Sequence, residues 1–144
     1  MPSFELSRRL DAPVDLVWEI LTDHGAYARW GAAKTATLEV AGTPEANGVG
    51  AVRLLANGRL AVREKVLEFE PKKRFAYTVV SGPPVRDYLA TVTLTPDGRS
   101  TQVRWVVEFE SKIPFTGPLL KPVVEHVIRT LLKKASAEAA RRVA

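Results

Sequence analysis

The chain has 144 residues, 46% hydrophobic and 26% charged, which is typical of a globular protein and argues against general disorder. It contains no cysteine, which excludes disulfide bonds, thiolate nucleophiles and cysteine-bound metals. Its net charge of +5 lies entirely in residues 112–144, which hold seven basic and two acidic side chains.

A basic segment of this kind can contact nucleic acid or anionic lipid, or it can be the solvated face of a helix. We expect the solvated face and no nucleic-acid partner, because the segment has no aromatic interleaving and no nucleic-acid motif. The N-terminus has no apolar signal core, and no run of 18 apolar residues occurs. We therefore expect a cytoplasmic protein without a transmembrane segment, folded as one domain over residues 1–144.

The first elements are predicted to be a strand and two short helices. Residues Ser3–Leu10 alternate loosely and read as a strand. Val14, Val17, Trp18 and Leu21 then follow at helical spacing and form one apolar face. Asp11 is expected to accept from the free N–H groups at the start of this helix. Tyr27 and Trp30 suggest a second short helix that ends at Gly31.

Six further strands are predicted in the middle of the chain, joined by short turns that favour an antiparallel meander. Asn57-Gly58 is a strong signal for a two-residue hairpin. The glycine-rich loop Gly42–Gly50 is a candidate lid over a pocket mouth. The predicted strands are Thr35–Ala41, Gly50–Ala56, Arg59–Phe69, Arg74–Ser81, Arg86–Thr95 and Thr101–Glu110.

A long amphipathic helix is predicted at the C-terminus, with Thr116 as its N-cap and an end near Arg141. Pro122 predicts either a late start or a bend, because proline cannot donate a backbone hydrogen bond. The elements predict an α+β protein in which a curved seven-stranded antiparallel sheet wraps around this helix. Because seven strands are wider than one helix, part of the concave face is either filled by side chains or left as a cavity.

Several segments resemble the polyketide cyclase/dehydrase branch of the START/Bet v 1-like superfamily, also called SRPBCC. They are the run Leu10–Asp23 (LDAPVDLVWEILTD) with Tyr27 and Trp30, and later Val66–Pro71, Phe75–Tyr77, Ser81-Gly82 and Thr101–Trp105. The resemblance covers nearly the whole chain and implies the helix-grip fold, with a deep pocket between the sheet and the long helix. Members bind lipids, sterols, polyketides or hormones; some are cyclases or aromatases, and a related branch activates a heat-shock ATPase.

Strand alternation predicts which side chains face this pocket. On the third predicted strand Val52 and Leu54 are expected to point inward and Arg53 outward. On the fourth, Val62, Glu64 and Val66 are expected inward and Arg63 and Lys65 outward. The predicted ligand-binding residues are Trp30, Val52, Leu54, Glu64, Tyr77, Val79, Tyr88, Ala90, Trp105, Val107, Val123, Val127 and Leu131.

Glu64 is the one weak candidate for a catalytic group, because an inward carboxylate is costly unless it is paired. The alternative is a bulge that turns Glu64 to solvent. Tyr77 and Tyr88 either orient a ligand or are core tyrosines whose hydroxyls reach water, and Trp30 and Trp105 are either pocket walls or plain core.

The sequence shows no signal for a metal or a cofactor. His24 and His126 lack metal-ligand spacing, and the common nucleophile, phosphate and dinucleotide motifs are absent, so we expect no metal and no cofactor.

The sequence leaves three functions open. The first function is a binding or carrier protein for a hydrophobic molecule such as a lipid, sterol or polyketide. The second is a cyclase, aromatase or dehydratase, and the third is an interaction protein like the ATPase activators. Ligand identity and oligomeric state stay open.

Overall fold

The computed structural model describes residues 2–143 and has the predicted order of strands and helices. The elements are β1 (Ser3–Leu10), α1 (Val14–Thr22), a 3-10 helix (His24–Ala26), β2 (Thr35–Val40), β3 (Val52–Asn57), β4 (Leu60–Glu70), β5 (Arg74–Ser81), β6 (Val85–Asp97), β7 (Ser100–Ser111) and α2 (Gly117–Val143). The helix-grip prediction is confirmed. The second short helix is a single 3-10 turn that ends before Tyr27, not at Gly31.

The seven strands form one antiparallel sheet in the order β1-β7-β6-β5-β4-β3-β2. Strands β2 to β7 form an antiparallel meander, and β1 extends it at the β7 edge, because β1 pairs with β7 along its whole length. Register shifts occur between Val66 and Glu68 and between Arg86 and Leu89. Such irregularities increase local twist and bending, which helps the sheet to curve around α2.

One end of the concave face is filled by a packed core under α1 and the C-terminal half of α2. The Trp18 ring lies 5.1 Å from the Phe69 ring and 5.7 Å from the Phe75 ring, measured between centroids. From α2, Ile128, Leu132 and two alanines are buried against this core. The predicted apolar face of α1 therefore packs into the core, as its helical spacing implies.

Both helices begin near the predicted positions, but the predicted side-chain caps are not formed. Asp11 does not cap α1; its carboxylate accepts the Ser100 hydroxyl at 3.1 Å, because the β1–β7 pairing places the two side by side. Thr116 directly precedes α2, yet its hydroxyl donates to the Ile113 carbonyl. Pro122 lies inside α2, which excludes a late start of the helix. Its side chain is exposed.

Candidate functional site

A cavity of about 160 Å³ lies between the concave face of the sheet and the middle of α2. Its walls come from the segment after the 3-10 helix, from β3, β4, β5 and β7, and from one face of α2. The lining residues are Tyr27, Ala32, Arg53, Leu55, Asn57, Leu60, Val62, Glu64, Tyr77, Trp105, Val127, Ile128 and Leu131. Leu60 and Val127 are 75% and 56% exposed, so the mouth opens between the β3–β4 hairpin and α2.

Five of the thirteen predicted ligand-binding residues line this cavity: Glu64, Tyr77, Trp105, Val127 and Leu131. The inward orientation of Glu64 is confirmed, since its side chain is only 13% exposed. Val79, Tyr88, Ala90 and Val107 face the same side of the sheet but belong to the packed core, which Trp30 also joins. Val123 is 58% exposed and lies outside the cavity.

The prediction for β3 was wrong: Arg53 points into the protein and is 2% exposed, whereas Val52 and Leu54 are only partly buried on the other face. The physical reason is the pairing of β3 with β4. Arg53 lies directly opposite Glu64, and residues directly opposite each other in an antiparallel pair share a face. An inward Glu64 therefore requires an inward Arg53.

The hairpin signal at Asn57-Gly58 is sufficient to predict the inward orientation of Arg53. The observed loop is Gly58-Arg59, with Gly58 at φ +67°, one residue later than predicted. A two-residue loop at either position places Arg53 on the same face as Val62 and Glu64. Alternation of hydrophobicity within β3 alone favours Val52 and Leu54 as the inward residues, and only the pairing with β4 shows that Arg53 faces inward.

Arg53 is the centre of a buried polar cluster on the cavity wall. Its Nε atom donates to Glu64 Oε1 at 3.0 Å, and its Nη2 atom lies 2.9 Å from the same oxygen in a salt bridge. Its Nη1 atom donates to His24 Nδ1 at 3.0 Å. The guanidinium carbon also lies 4.7 Å from the centroid of the Tyr77 ring, within the range of a cation–π contact. The sequence gives no local signal for this role of His24, because Arg53 lies 29 positions away and the contact is tertiary.

The contact with Arg53 fixes the protonation state of His24. A guanidinium can only donate, so His24 Nδ1 must accept and Nε2 must carry the proton. Burial, and secondarily the Arg53 charge, lowers the pKa of His24 well below its ordinary value, which keeps the ring neutral. Within residues 2–143, His24 Nε2 has no hydrogen-bond partner, nor does Nε1 of the cavity-lining Trp105. The site thus holds buried N–H donors that are not used within the chain.

Burial raises the pKa of Glu64 above its ordinary value, while the charge and hydrogen bonds of Arg53 act in the opposite direction. The hydroxyl of Tyr27 donates to the Leu21 carbonyl at 2.6 Å and is satisfied. Burial also raises the pKa values of Tyr77 and Tyr88, so both phenols stay protonated at neutral pH. The cavity walls therefore carry one ion pair, the Asn57 side chain and the neutral tyrosines Tyr27 and Tyr77 among apolar residues, an arrangement that can orient a ligand.

The predicted lid is not beside this cavity. None of residues 42–50 lines it, because the β2–β3 loop lies at the opposite end of β3 from the β3–β4 hairpin. The segment that borders the mouth is the hairpin itself, through Asn57 and Leu60. Among residues 2–143, no three histidine or carboxylate side chains are grouped for a metal ion. Within the same residues, no helix has the length and apolarity needed to cross a membrane.

A curved antiparallel sheet around a long C-terminal helix, with a cavity between them, defines a START/Bet v 1-like helix-grip protein. The whole chain, residues 1–144, matches the family described as "Polyketide cyclase / dehydrase and lipid transport", and the protein belongs to this family. Among functionally curated proteins, none matches this sequence.

Solved structures agree with the fold over almost the whole chain. The Zhui aromatase/cyclase from Streptomyces sp. R1128 is 22% identical with a TM-score of 0.83, covering 99% of this chain and 96% of that chain. A START superfamily protein from Mycobacterium smegmatis is 16% identical with a TM-score of 0.83, covering 96% and 97%. A protein from Thermobifida fusca is 26% identical with a TM-score of 0.80, covering 98% and 95%.

Proposed function

We propose that this protein binds a hydrophobic small molecule, whose ring-sized end with a polar substituent occupies the cavity beside Arg53 and Glu64. The observation that carries the proposal is a largely apolar cavity with a buried ion pair on its wall. An apolar cavity of roughly 150 Å³ holds a benzene ring, whereas drug-sized ligands need roughly 300–1,000 Å³. Only part of a lipid, sterol or polyketide would fit, with the rest passing through the mouth at Leu60 and Val127.

The polar groups give this ligand a chemical preference. Glu64 accepts from Arg53 through Oε1, which leaves Oε2 free for a ligand hydroxyl. Hydrogen bonds to a charged acceptor contribute about 1.5–3 kcal/mol when both groups are buried. A phenolic or other hydroxylated ring should therefore bind more tightly than the same ring without the hydroxyl.

Titration with p-cresol and toluene, followed by calorimetry or by NMR shifts of cavity residues, tests this. We expect p-cresol to bind at least about tenfold more tightly than toluene. Leu131→Trp should fill the cavity and abolish binding of both probes. Val123→Trp is the matched control on an exposed position of the same helix and should leave binding unchanged. No binding of either probe to the wild-type protein would refute the proposal.

A second candidate function is acid–base catalysis of a cyclase, aromatase or dehydratase reaction, and the buried Glu64 on the cavity wall favours it. As a carboxylate paired with Arg53, Glu64 would accept a proton from a bound substrate. Turnover of a polyketide substrate that falls in Glu64→Gln by much more than p-cresol affinity falls would support this function. Equal turnover in both proteins would assign Glu64 to binding alone.

A further inference from the structure

The N-terminal half of α2 and the segment before it carry apolar side chains that nothing in the described chain covers. Phe115 is 98% exposed, Leu119 is 71% exposed, and Ile113, Val123 and Val127 are each more than half exposed. These five residues are called the docking face below. Scattered exposed apolar residues are ordinary, but five within fifteen positions at one end of a domain indicate an interaction site.

The part of the docking face that lies on α2 ends at the cavity mouth. Leu119, Val123 and Val127 follow at four-residue spacing, so they form one line of about 12 Å along α2. Val127 also lines the cavity, opposite the exposed Leu60 of the β3–β4 hairpin. This line of apolar side chains therefore runs from Leu119 to the mouth of the cavity.

Phe115 shows that this exposure is built into the backbone. The residue has φ +67°, in the left-handed region that bulky side chains rarely adopt. A ring that is almost entirely in water contributes no packing to the free protein. This φ belongs to the turn Ile113-Pro114-Phe115-Thr116, in which the Thr116 N–H donates to the Ile113 carbonyl at 3.3 Å, and the turn holds the ring away from the core.

Unpaired lysines accompany these apolar side chains. Lys112 and Lys121 line an open surface groove together with Ile113 and Phe115. Within residues 2–143 neither lysine forms a salt bridge, whereas Arg129, Arg141 and Arg142 of α2 are paired with glutamates. The exposed Phe115 ring and the charges of Lys112 and Lys121 therefore border the same groove.

We propose that the docking face binds the surface of an anionic membrane, with Phe115 and Leu119 inserted among the lipids and Lys112 and Lys121 at the headgroups. Lysine stems can extend along apolar surface while their charges reach an anionic interface. Protein interfaces, in contrast, are depleted of lysine. A second copy of this chain would also bring lysines against lysines. The proposal rests on surface residues and does not depend on what the cavity binds.

Co-sedimentation of the full chain with vesicles tests the proposal. We expect binding to vesicles of phosphatidylcholine with phosphatidylserine, weaker binding to phosphatidylcholine alone, and loss of the difference at high salt. Phe115→Ser with Leu119→Ser should reduce vesicle affinity by about tenfold or more. Lys112→Gln with Lys121→Gln should reduce it by about fivefold for each charge, on the anionic vesicles only.

Two matched pairs of substitutions act as controls. Val40→Ser with Leu67→Ser removes two exposed apolar side chains from β2 and β4, and Arg8→Gln with Lys65→Gln removes two exposed charges from β1 and β4. Both control proteins should bind vesicles like the wild type. The proposal is overturned if the wild type does not bind anionic vesicles at low salt or if the control pairs reduce binding equally. It is also overturned if sedimentation equilibrium shows a dimer that Phe115→Ser dissociates.

Discussion

The two halves of α2 belong to one helix but have opposite surroundings. From Ile128 onward, five residues are buried, and most of them pack on the core beneath α1. Between Gly117 and Val127, only Gly117 is buried, and the helix carries exposed leucine and valine side chains. The cavity lies at the junction, where Val127, Ile128 and Leu131 cover Arg53 and Glu64.

This difference shows how one fold can be both stable and able to bind. The C-terminal half of α2 buries enough apolar surface to hold the helix on the sheet. The N-terminal half is held less firmly, because of residues 117–127 only the partly buried Leu120 and Val124 pack against the core, and regions with few buried contacts open most easily.

The largest expected effect is at the junction, in the ion pair beneath α2. Glu64→Leu should lower the free energy of unfolding by about 3–5 kcal/mol, because it leaves Arg53 charged, buried and without a counter-ion. Arg53→Leu should cost less, since Glu64 can become neutral by taking up a proton. The measurement is urea denaturation followed by circular dichroism.

The pH dependence of Arg53→Leu sharpens this test. Burial raises the pKa of Glu64, and removal of Arg53 removes the opposing effect. A raised carboxyl pKa favours the folded state fully below the ordinary glutamate value of about 4.3, and this stability is lost as pH rises through the folded-state value. The deficit relative to wild type should therefore be small near pH 4 and grow toward pH 7. A deficit independent of pH would contradict a buried, titrating Glu64.

A pair of leucines on α2 measures the comparison between its halves directly. Leu132 is 3% exposed and Leu119 is 71% exposed. Leu132→Ala should lower the free energy of unfolding by about 2–4 kcal/mol through a cavity in the core. Leu119→Ala should change it by less than about 0.5 kcal/mol, because alanine is at least as good a helix former. Equal effects would mean that the N-terminal half is packed in solution.

The smallest expected effect concerns the glutamates of the two halves. Glu138, with an 8% exposed side chain, accepts from Arg141 and Arg142, and the hydrogen bond from Arg141 is the main cause that lowers its pKa to about 2. Glu125 pairs with Arg129 alone and is 28% exposed.

Replacement by glutamine separates the two pairs. Glu138→Gln should lower stability by about 1 kcal/mol at neutral pH, and Glu125→Gln by less. A depressed carboxyl pKa stabilises the folded state above the ordinary glutamate value, and this contribution is lost as pH falls toward 2. The Glu138→Gln deficit should thus disappear in acid, as thermal unfolding at several pH values would show. A deficit that persists at pH 2 would assign the effect to packing.

The order and type of the elements followed from the sequence because they depend on local signals. Period-two alternation, the helical spacing of Val14, Val17, Trp18 and Leu21, and turn residues are readable within a few positions. The predicted bounds of β1 and β5 agree with the structure to the residue. Asp11 and Thr116 were placed correctly but given the wrong partners, because side-chain partners come from neighbouring elements and not from the local sequence.

The site was predicted only in part. Alternation within each strand was enough to predict that Glu64, Tyr77 and Trp105 face inward, because successive side chains of a strand point to opposite faces of the sheet. The inward Arg53 required the β3–β4 pairing, which the hairpin signal contained. The 160 Å³ size of the cavity, the contact of Arg53 with His24 and the exposure of Phe115 were decided by tertiary structure alone, because each depends on how elements that are distant in the sequence pack against one another.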